Sequence, residues 1–133
     1  MPQDFNWIDY LNLAENLIAG SNISTELEEA KLRSIVSRAY YAVYHKARTL
    51  LEEELGVLIR PDHSHTDVIE GYINGGDRNY LDVGKRLESL YNTRKDADYE
   101  KNMYINQSKA QEIIINCRQT LKIIKIIEKS LHP

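Results

Sequence analysis

Residues 25–56 read TELEEAKLRSIVSRAYYAVYHKARTLLEEELG, and their apolar side chains recur at intervals of three and four residues. That spacing is typical of a helix with one buried face. Thr25 and Glu28 form a capping box that predicts where the helix begins, and Gly56 predicts a left-handed residue at its end. Such a helix is about 45 Å long at 1.5 Å per residue, which is as long as a bundle helix usually is. The side predicted to face the core carries Leu32, Ile35, Val36, Ala39, Val43, Ala47 and Leu50.

The rest of the chain has the same helical periodicity, and no segment alternates convincingly at the two-residue period of a strand. Four more helices are predicted: one capped by Asp4 and ending at the turn of residues 20–22, a short one from Pro61 to Ile73, one from about Asn79 to Asp98, and one from Asn106 or Ser108 to Leu131. We therefore expect an all-α fold, an up-and-down bundle of about five helices in a single domain of residues 1–133.

The composition is that of a soluble globular protein, with 42% hydrophobic and 28% charged residues in a chain of 133. The net charge of −3 argues against a strongly basic nucleic-acid-binding domain, but it leaves room for a local basic patch. The apolar runs are short and the N-terminus, MPQDFNW, has no basic flank, so we expect a cytoplasmic protein that does not enter membranes. The single cysteine, Cys117, falls on an apolar helix face, where core packing is its expected role.

A polar stripe runs along the long helix, nearly opposite its apolar side. It consists of Ser34, Arg38, Tyr41 and His45, at spacings of four, three and four residues. A guanidinium, a phenol and an imidazole in register can bind a phosphate or transfer protons. They can equally form a solvated face or a polar contact with another helix, and spacing alone leaves these alternatives open.

The predicted helix from Asn79 places two charged residues in line with its apolar side. Arg94 and Asp98 stand four residues apart, a spacing suited to an ion pair. On spacing alone, a structural ion pair at the end of the core is the simpler interpretation. The apolar stripe that they continue is formed by Val83, Leu87, Leu90 and Tyr91.

Three segments, taken together, resemble the HEPN superfamily: SRAYYAVYHKARTLL (residues 37–51), HTDVI (65–69) and GKRLESLYNTRKDADYE (84–100). In order and spacing they are most similar to the small stand-alone bacterial and archaeal members, where patterns such as S-R-x-Y-Y-A, H-x-x-V-I and R-x-x-A-D-Y recur. The resemblance implies a compact helical bundle, frequent homodimerisation, and a site lined by the second helix and the end of the fourth.

The resemblance also implies a chemistry. Arg38 is expected to approach Arg94, Asp98 and Tyr99. Many HEPN proteins are metal-independent ribonucleases in which a histidine follows an arginine by four to six residues, so that imidazole moves protons and guanidinium stabilises charge on the phosphorane. This sequence departs from the pattern, because Tyr99 stands where the histidine is expected and an ordinary phenol, with a pKa of about 10, is a poor base.

Two histidines outside the motif are candidates to replace the missing one. His45 lies one helical turn beyond Tyr41, and His65 matches the histidine that recurs in the resemblance. Each can also be a structural hydrogen-bond partner. No metal or other cofactor is expected, because His63 and His65, two residues apart at the start of a helix, do not converge on one ion.

The last predicted helix carries a row of cations on the side away from its apolar residues. This row can follow a phosphate backbone, and it is equally consistent with a solvated face. Cations near a helix C-terminus also complement the helix dipole. The row consists of Arg118, Lys122, Lys125 and Lys129. The apolar side consists of Ile113, Cys117, Leu121 and Ile124.

The first functional hypothesis is a protein of a toxin–antitoxin, defence or stress system that acts on or binds RNA, as a metal-independent endoribonuclease with a degenerate motif. In it Arg94 and Arg38 hold the phosphate, Asp98 orients an arginine, and His45 or Tyr99 transfers protons. Tyr41 and His65 complete the binding residues of the expected site.

The second hypothesis is a non-catalytic module that binds a nucleotide or pairs with a small nucleotidyltransferase. In some HEPN proteins such a partner adenylylates a tyrosine close to the motif, which here is Tyr99 or Tyr104. The third is that the polar residues only hold the bundle and its dimer together. Sequence alone leaves the three hypotheses open.

Overall fold

The computed structural model describes the backbone of residues 11–15, 25–99 and 106–132, and their side chains except those of residues 25–28 and 97–99. This part of the chain contains helices joined by turns and no strand, which confirms the predicted all-α bundle. The elements are residues 11–15 of α1, then α2 (Thr25–Glu54), a 3₁₀ turn (Pro61–His63), α3 (Ser64–Ile73), α4 (Arg78–Tyr99) and α5 (Gln107–Leu131).

Local sequence explains where two of the helices stop and start. Gly56 has a φ of +65°, and beside it the N–H of Val57 donates to the carbonyl of Leu51 over 3.0 Å, which closes the end of α2 as the glycine predicted. At the start of α5, the side chain of Asn106 accepts a hydrogen bond from the N–H of Lys109 over 2.8 Å. Of the two predicted starts for this helix, the structure therefore has the earlier.

Some of the other helix boundaries differ slightly from the predictions, and some predicted boundaries lie outside the described residues. The predicted helix from Pro61 opens with a 3₁₀ turn before α3 begins, and α4 extends one residue beyond each predicted end. The start of α4 moves because the carboxylate of Asp77 accepts from the N–H of Asn79 over 2.7 Å. The predicted cap at Asp4, the turn at residues 20–22 and the capping box at Thr25 and Glu28 lie outside the residues or side chains that are described.

One hydrophobic core joins the helices, and α2 packs against α3, α4 and α5. The seven α2 side chains predicted to face the core are all buried, as are Leu11 and Ala14 of α1. Cys117 is fully buried, as expected for a packing role. The core also contains three tyrosines, Tyr40, Tyr44 and Tyr72. No helix in the described part of the chain has the length and apolarity that crossing a membrane requires.

A glycine allows α3 and α4 to approach closely. A Cβ added at Gly84 would lie 2.6 Å from Cγ1 and 2.9 Å from the backbone nitrogen of Ile73, closer than side chains tolerate. Gly76, with a φ of +79°, lies in the turn between the two helices. This packing fixes α3 against α4, and it therefore fixes His65 of α3 relative to Arg94 of α4.

Candidate functional site

His65, in the first turn of α3, lies among tyrosine rings from α2 and α4. Its Nδ1 is 2.6 Å from the hydroxyl oxygen of the fully buried Tyr40. Its ring centroid is 4.3 Å from that of Tyr44 and 4.6 Å from that of Tyr91, with the His65 and Tyr91 rings stacked at 18°. We call Tyr40, Tyr44 and Tyr91 the aromatic cage of His65. The cage joins three helices through one imidazole.

The cage keeps His65 neutral. Burial first, and then the nearby charges of Arg94 and Arg48, together lower the pKa of His65 to about 4. Burial raises the pKa of Tyr40, so that its hydroxyl keeps its proton. With Tyr40 as the donor, Nδ1 of His65 is the acceptor and the single ring proton lies on Nε2.

Arg94 joins the end of α4 to the middle of α2. Its Nη2 donates a hydrogen bond to the hydroxyl of Tyr41 over 2.8 Å, and its Cζ lies over the Tyr41 ring, 4.8 Å from the centroid. The Nε of Arg94 is buried. A hydrogen bond and a cation–π contact to one ring together hold a guanidinium more firmly than an exposed arginine is held. Arg94 is therefore a fixed cation at the junction of two helices.

His45 contacts the same tyrosine. Its ring stacks on that of Tyr41 at a centroid distance of 5.9 Å and an angle of 22°, and it meets Tyr44 edge-on at 5.1 Å. Burial lowers the pKa of His45, and the charge of Arg48 lowers it further. Arg48 is held by Glu52 and by the hydroxyl of Tyr44, at 2.7 Å and 3.2 Å. A neutral imidazole and a fixed guanidinium thus both contact the ring of Tyr41.

The structure brings together four of the seven residues singled out from the sequence. Tyr41 contacts both Arg94 and His45, and the ring of His65 lies 6.5 Å from that of Tyr41. Arg38 is exposed on α2, about one turn before Tyr41. Asp98 and Tyr99 belong to the last turn of α4, and their side chains lie outside the described part of the structure.

The aromatic cage was not predicted from the sequence. Tyr91 was assigned only to an apolar stripe, and the other two cage tyrosines were assigned to no role. A signal was present, because the chain has nine tyrosines and one phenylalanine. A core that needed only apolar ring area would favour phenylalanine, whereas buried tyrosines need hydrogen-bond partners. Lys95 also lies over the Tyr91 ring, 5.2 Å from its centroid.

The polar residues around the start of α3 have separate partners. The carboxylate of Asp67 accepts hydrogen bonds from the backbone N–H of Arg60 at 2.8 Å and from its guanidinium at 2.7 Å and 3.0 Å. These bonds lower the pKa of Asp67 to about 2. Among the described residues, no three His, Cys, Asp or Glu side chains gather as the ligands of a metal ion do.

The family model of the HEPN domain matches residues 9–127, which is most of the chain. The chain belongs to the HEPN domain family. The HEPN match includes the whole of α2, α3 and α4, and with them every residue of the aromatic cage. The HEPN resemblance drawn from three segments is thereby confirmed. No curated protein and no solved structure matches the chain significantly.

Proposed function

We propose that this HEPN protein cleaves RNA without a metal ion, with Arg94 binding the phosphate and His45 acting as general base. One observation carries the proposal: Arg94 and His45, from different helices, both contact the ring of Tyr41. No histidine follows Arg94 within the four to six residues of the family motif. An imidazole supplied by α2 compensates for that missing group.

The proposed reaction is an internal transesterification. His45 takes the proton of a 2′-hydroxyl, whose oxygen then attacks the adjacent phosphorus. The bond from phosphorus to the 5′-oxygen breaks, and the products are a 2′,3′-cyclic phosphate and a 5′-hydroxyl end. Arg94 pairs with the non-bridging oxygens, on which negative charge accumulates. Tyr99, at the end of α4, is the assigned donor of the proton that the leaving 5′-oxygen receives.

The other residues of the expected site have supporting roles in this proposal. Asp98 orients an arginine, and the exposed Arg38 holds a neighbouring phosphate. His65 is assigned to binding rather than to proton transfer, because Tyr40 occupies its Nδ1 and its pKa of about 4 makes it a weak base at neutral pH. Burial and the charge of Arg48 lower the pKa of His45, so its imidazole is neutral at pH 7 and is assigned as the general base.

The test is cleavage of an RNA oligonucleotide by the purified protein in EDTA, with the products analysed for 2′,3′-cyclic phosphate ends. We expect Arg94→Ala and His45→Gln to abolish cleavage while the circular dichroism spectrum is retained. Arg86→Ala is the matched control, because Arg86 lies on the same helix and bonds instead to Asp82, Asn116 and Gln119. Unchanged cleavage by Arg94→Ala, or none by the unaltered protein, would exclude the proposal.

The departure from the family motif favours a second candidate function. In this second candidate, Tyr99 stands in place of the histidine and the chain is a non-catalytic HEPN module. The module binds a nucleotide or pairs with a small nucleotidyltransferase, which adenylylates Tyr99 or Tyr104. This candidate predicts no RNA cleavage. Co-expression with the neighbouring gene, followed by intact-mass measurement, should find a complex or an added AMP. An unmodified protein without a partner would count against it.

Both candidates belong to a toxin–antitoxin, defence or stress system, and both include a homodimer. The exposed Arg38 and the partly buried Tyr41 and Arg94 form a polar face to which a second copy can add its own arginine. Light scattering on the purified protein tests this part of the proposal. A monomer at micromolar concentration would contradict it.

A further inference from the structure

A groove between α2 and α5 lies outside the candidate site. Its volume is about 300 Å³. Of the six lining residues that the structure describes, four are cationic and one is acidic, in a chain whose net charge is −3. Positive charge is therefore concentrated here against the overall balance of the protein. We call it the α5 groove, and its lining residues are Lys46, Arg118, Leu121, Lys122, Lys125 and Glu128.

Two of the four cations already have carboxylate partners. Lys46 pairs with Glu128, with 3.3 Å between Nζ and Oε2, and Arg118 pairs with Glu15 of α1. Lys122 and Lys125 are exposed, and neither forms an ion pair with a described residue. The described part of the groove therefore has about two positive charges available to a ligand.

The shape of this charge fits an extended polyanion better than a single anion. Lys122, Lys125 and the exposed Lys129 follow one another along α5 over seven residues, or about 10 Å. Arg118 extends the row by one more turn. Leu121 forms an apolar part of the wall, and low polarity beside a lysine strengthens its attraction for negative charge.

The lining also indicates what the ligand does not need. The described lining residues include no aromatic ring, so this part of the groove offers no surface for base stacking. Contact with the backbone alone binds a nucleic acid without regard to sequence. The groove and the candidate site share α2, since Lys46 directly follows His45, and these two side chains leave the helix about 100° apart.

We propose that the α5 groove binds the phosphate backbone of single-stranded RNA. The proposal rests on the RNA-directed function above and extends it, since the groove holds a strand whose neighbouring segment lies at Tyr41 and Arg94. Lys122 and Lys125 make the phosphate contacts, and Lys129 continues the track.

The experiment measures binding of fluorescent 2′-O-methyl oligouridine, which cannot undergo transesterification, by anisotropy at several salt concentrations. Each lost phosphate contact on a single strand lowers the slope of log K against log salt by about 0.7. We expect the double variant Lys122→Gln, Lys125→Gln to lower the slope by about 1.4. The control is Lys85→Gln, Lys109→Gln, which removes the same charge from exposed positions outside the groove and should leave the slope unchanged.

Equal slopes for the groove and control variants would overturn the proposal. The proposal would also be overturned if polyglutamate of equal charge displaced the RNA at the same concentration as unlabelled oligouridine does. The groove would then bind any polyanion and show no preference for a phosphate backbone. If the groove proposal fails in this binding experiment, the cleavage proposal still stands as long as Arg94→Ala abolishes the 2′,3′-cyclic phosphate product. A protein that binds oligouridine through the groove but cleaves no RNA would support the groove proposal and exclude the cleavage proposal.

Discussion

The hydrogen bond between Tyr40 and His65 connects α2 to α3 inside the core. Tyr40→Phe keeps the ring but leaves Nδ1 of His65 without its 2.6 Å partner. Losing one partner of a buried polar group costs about 1–3 kcal/mol, and we expect the free energy of unfolding to fall by that amount. Tyr44→Phe is the matched control, because the hydroxyl of Tyr44 accepts from the partly exposed Arg48 and, within the described part of the chain, not from a buried group. Urea denaturation measures both, and an equal or larger loss for Tyr44→Phe would contradict the prediction.

The neutral state of His65 makes stability depend on pH. Its pKa in the folded protein is about 4, below the ordinary value of 6.5, so the unfolded chain binds more protons between these values. The stabilisation is complete above about pH 6.5 and is lost as the pH falls toward 4. Asp67 acts in a lower window, because its pKa of about 2 removes stability only below its ordinary value of 3.8.

We therefore expect urea midpoints of the unaltered protein to fall between pH 6.5 and pH 4. The fall should be smaller in His65→Phe, which cannot gain a proton. It should not vanish, because the pKa of His45 is also lowered and His45 contributes in the same window. His63→Gln, which alters an exposed imidazole, should keep the original dependence. The prediction is wrong if the two variants respond to pH alike.

Part of the candidate site could be named from the sequence. Tyr41 and His45 share a helical stripe, and the family resemblance added Arg94 and His65, so four interacting residues were named before the structure. The aromatic cage could not be named, because its contacts depend on how α2 crosses α3 and α4. Periodicity along one helix contains no information about that crossing, and Tyr40 lies at the edge of the apolar side, where burial depends on the neighbouring helix.

The close packing of α3 on α4 depends on the missing side chain of Gly84. Gly84→Ala improves intrinsic helix propensity by about 1 kcal/mol, but the new Cβ meets both the side chain and the backbone of Ile73. Because backbone cannot move aside cheaply, we expect a net loss of about 1–3 kcal/mol in the free energy of unfolding. Urea denaturation measures the change.

Gly71→Ala is the matched helical control for this prediction. Its new Cβ would meet Cδ1 of Leu51 at 2.9 Å, which is the end of a flexible side chain. We expect a smaller effect than at Gly84. A stabilised Gly84→Ala variant would show that α3 and α4 can separate at little cost.

Helix identities were easier to predict than helix ends and helix contacts. Repeats of three and four residues identified α2 and its buried side, and Gly56 and Asn106 marked ends through their own backbone and side-chain chemistry. The 3₁₀ turn at Pro61 was missed, because a proline at the start of a helix suits either geometry. Neither the Gly84 contact nor the α5 groove could be derived, since each is made by two helices.

The described helices share one core, so we expect the chain to unfold as a single unit. Leu11 and Ala14 of α1 are fully buried, and Arg118 of α5 bonds to Asn12. The only tryptophan, Trp7, precedes these contacts by a few residues and reports on the N-terminal part of the chain. Urea transitions followed by tryptophan fluorescence and by far-ultraviolet circular dichroism should therefore coincide. Two separate transitions would show that the N-terminal helix unfolds independently.

Arg94 bonds to Tyr41, which precedes it by 53 positions in the chain, and His65 lies between the two in sequence. On the ribosome, Tyr41 and His45 emerge before Arg94, and the guanidinium joins them only after α4 has left the exit tunnel. Under the proposed function, a nascent chain whose α4 is still inside the tunnel cannot cut RNA.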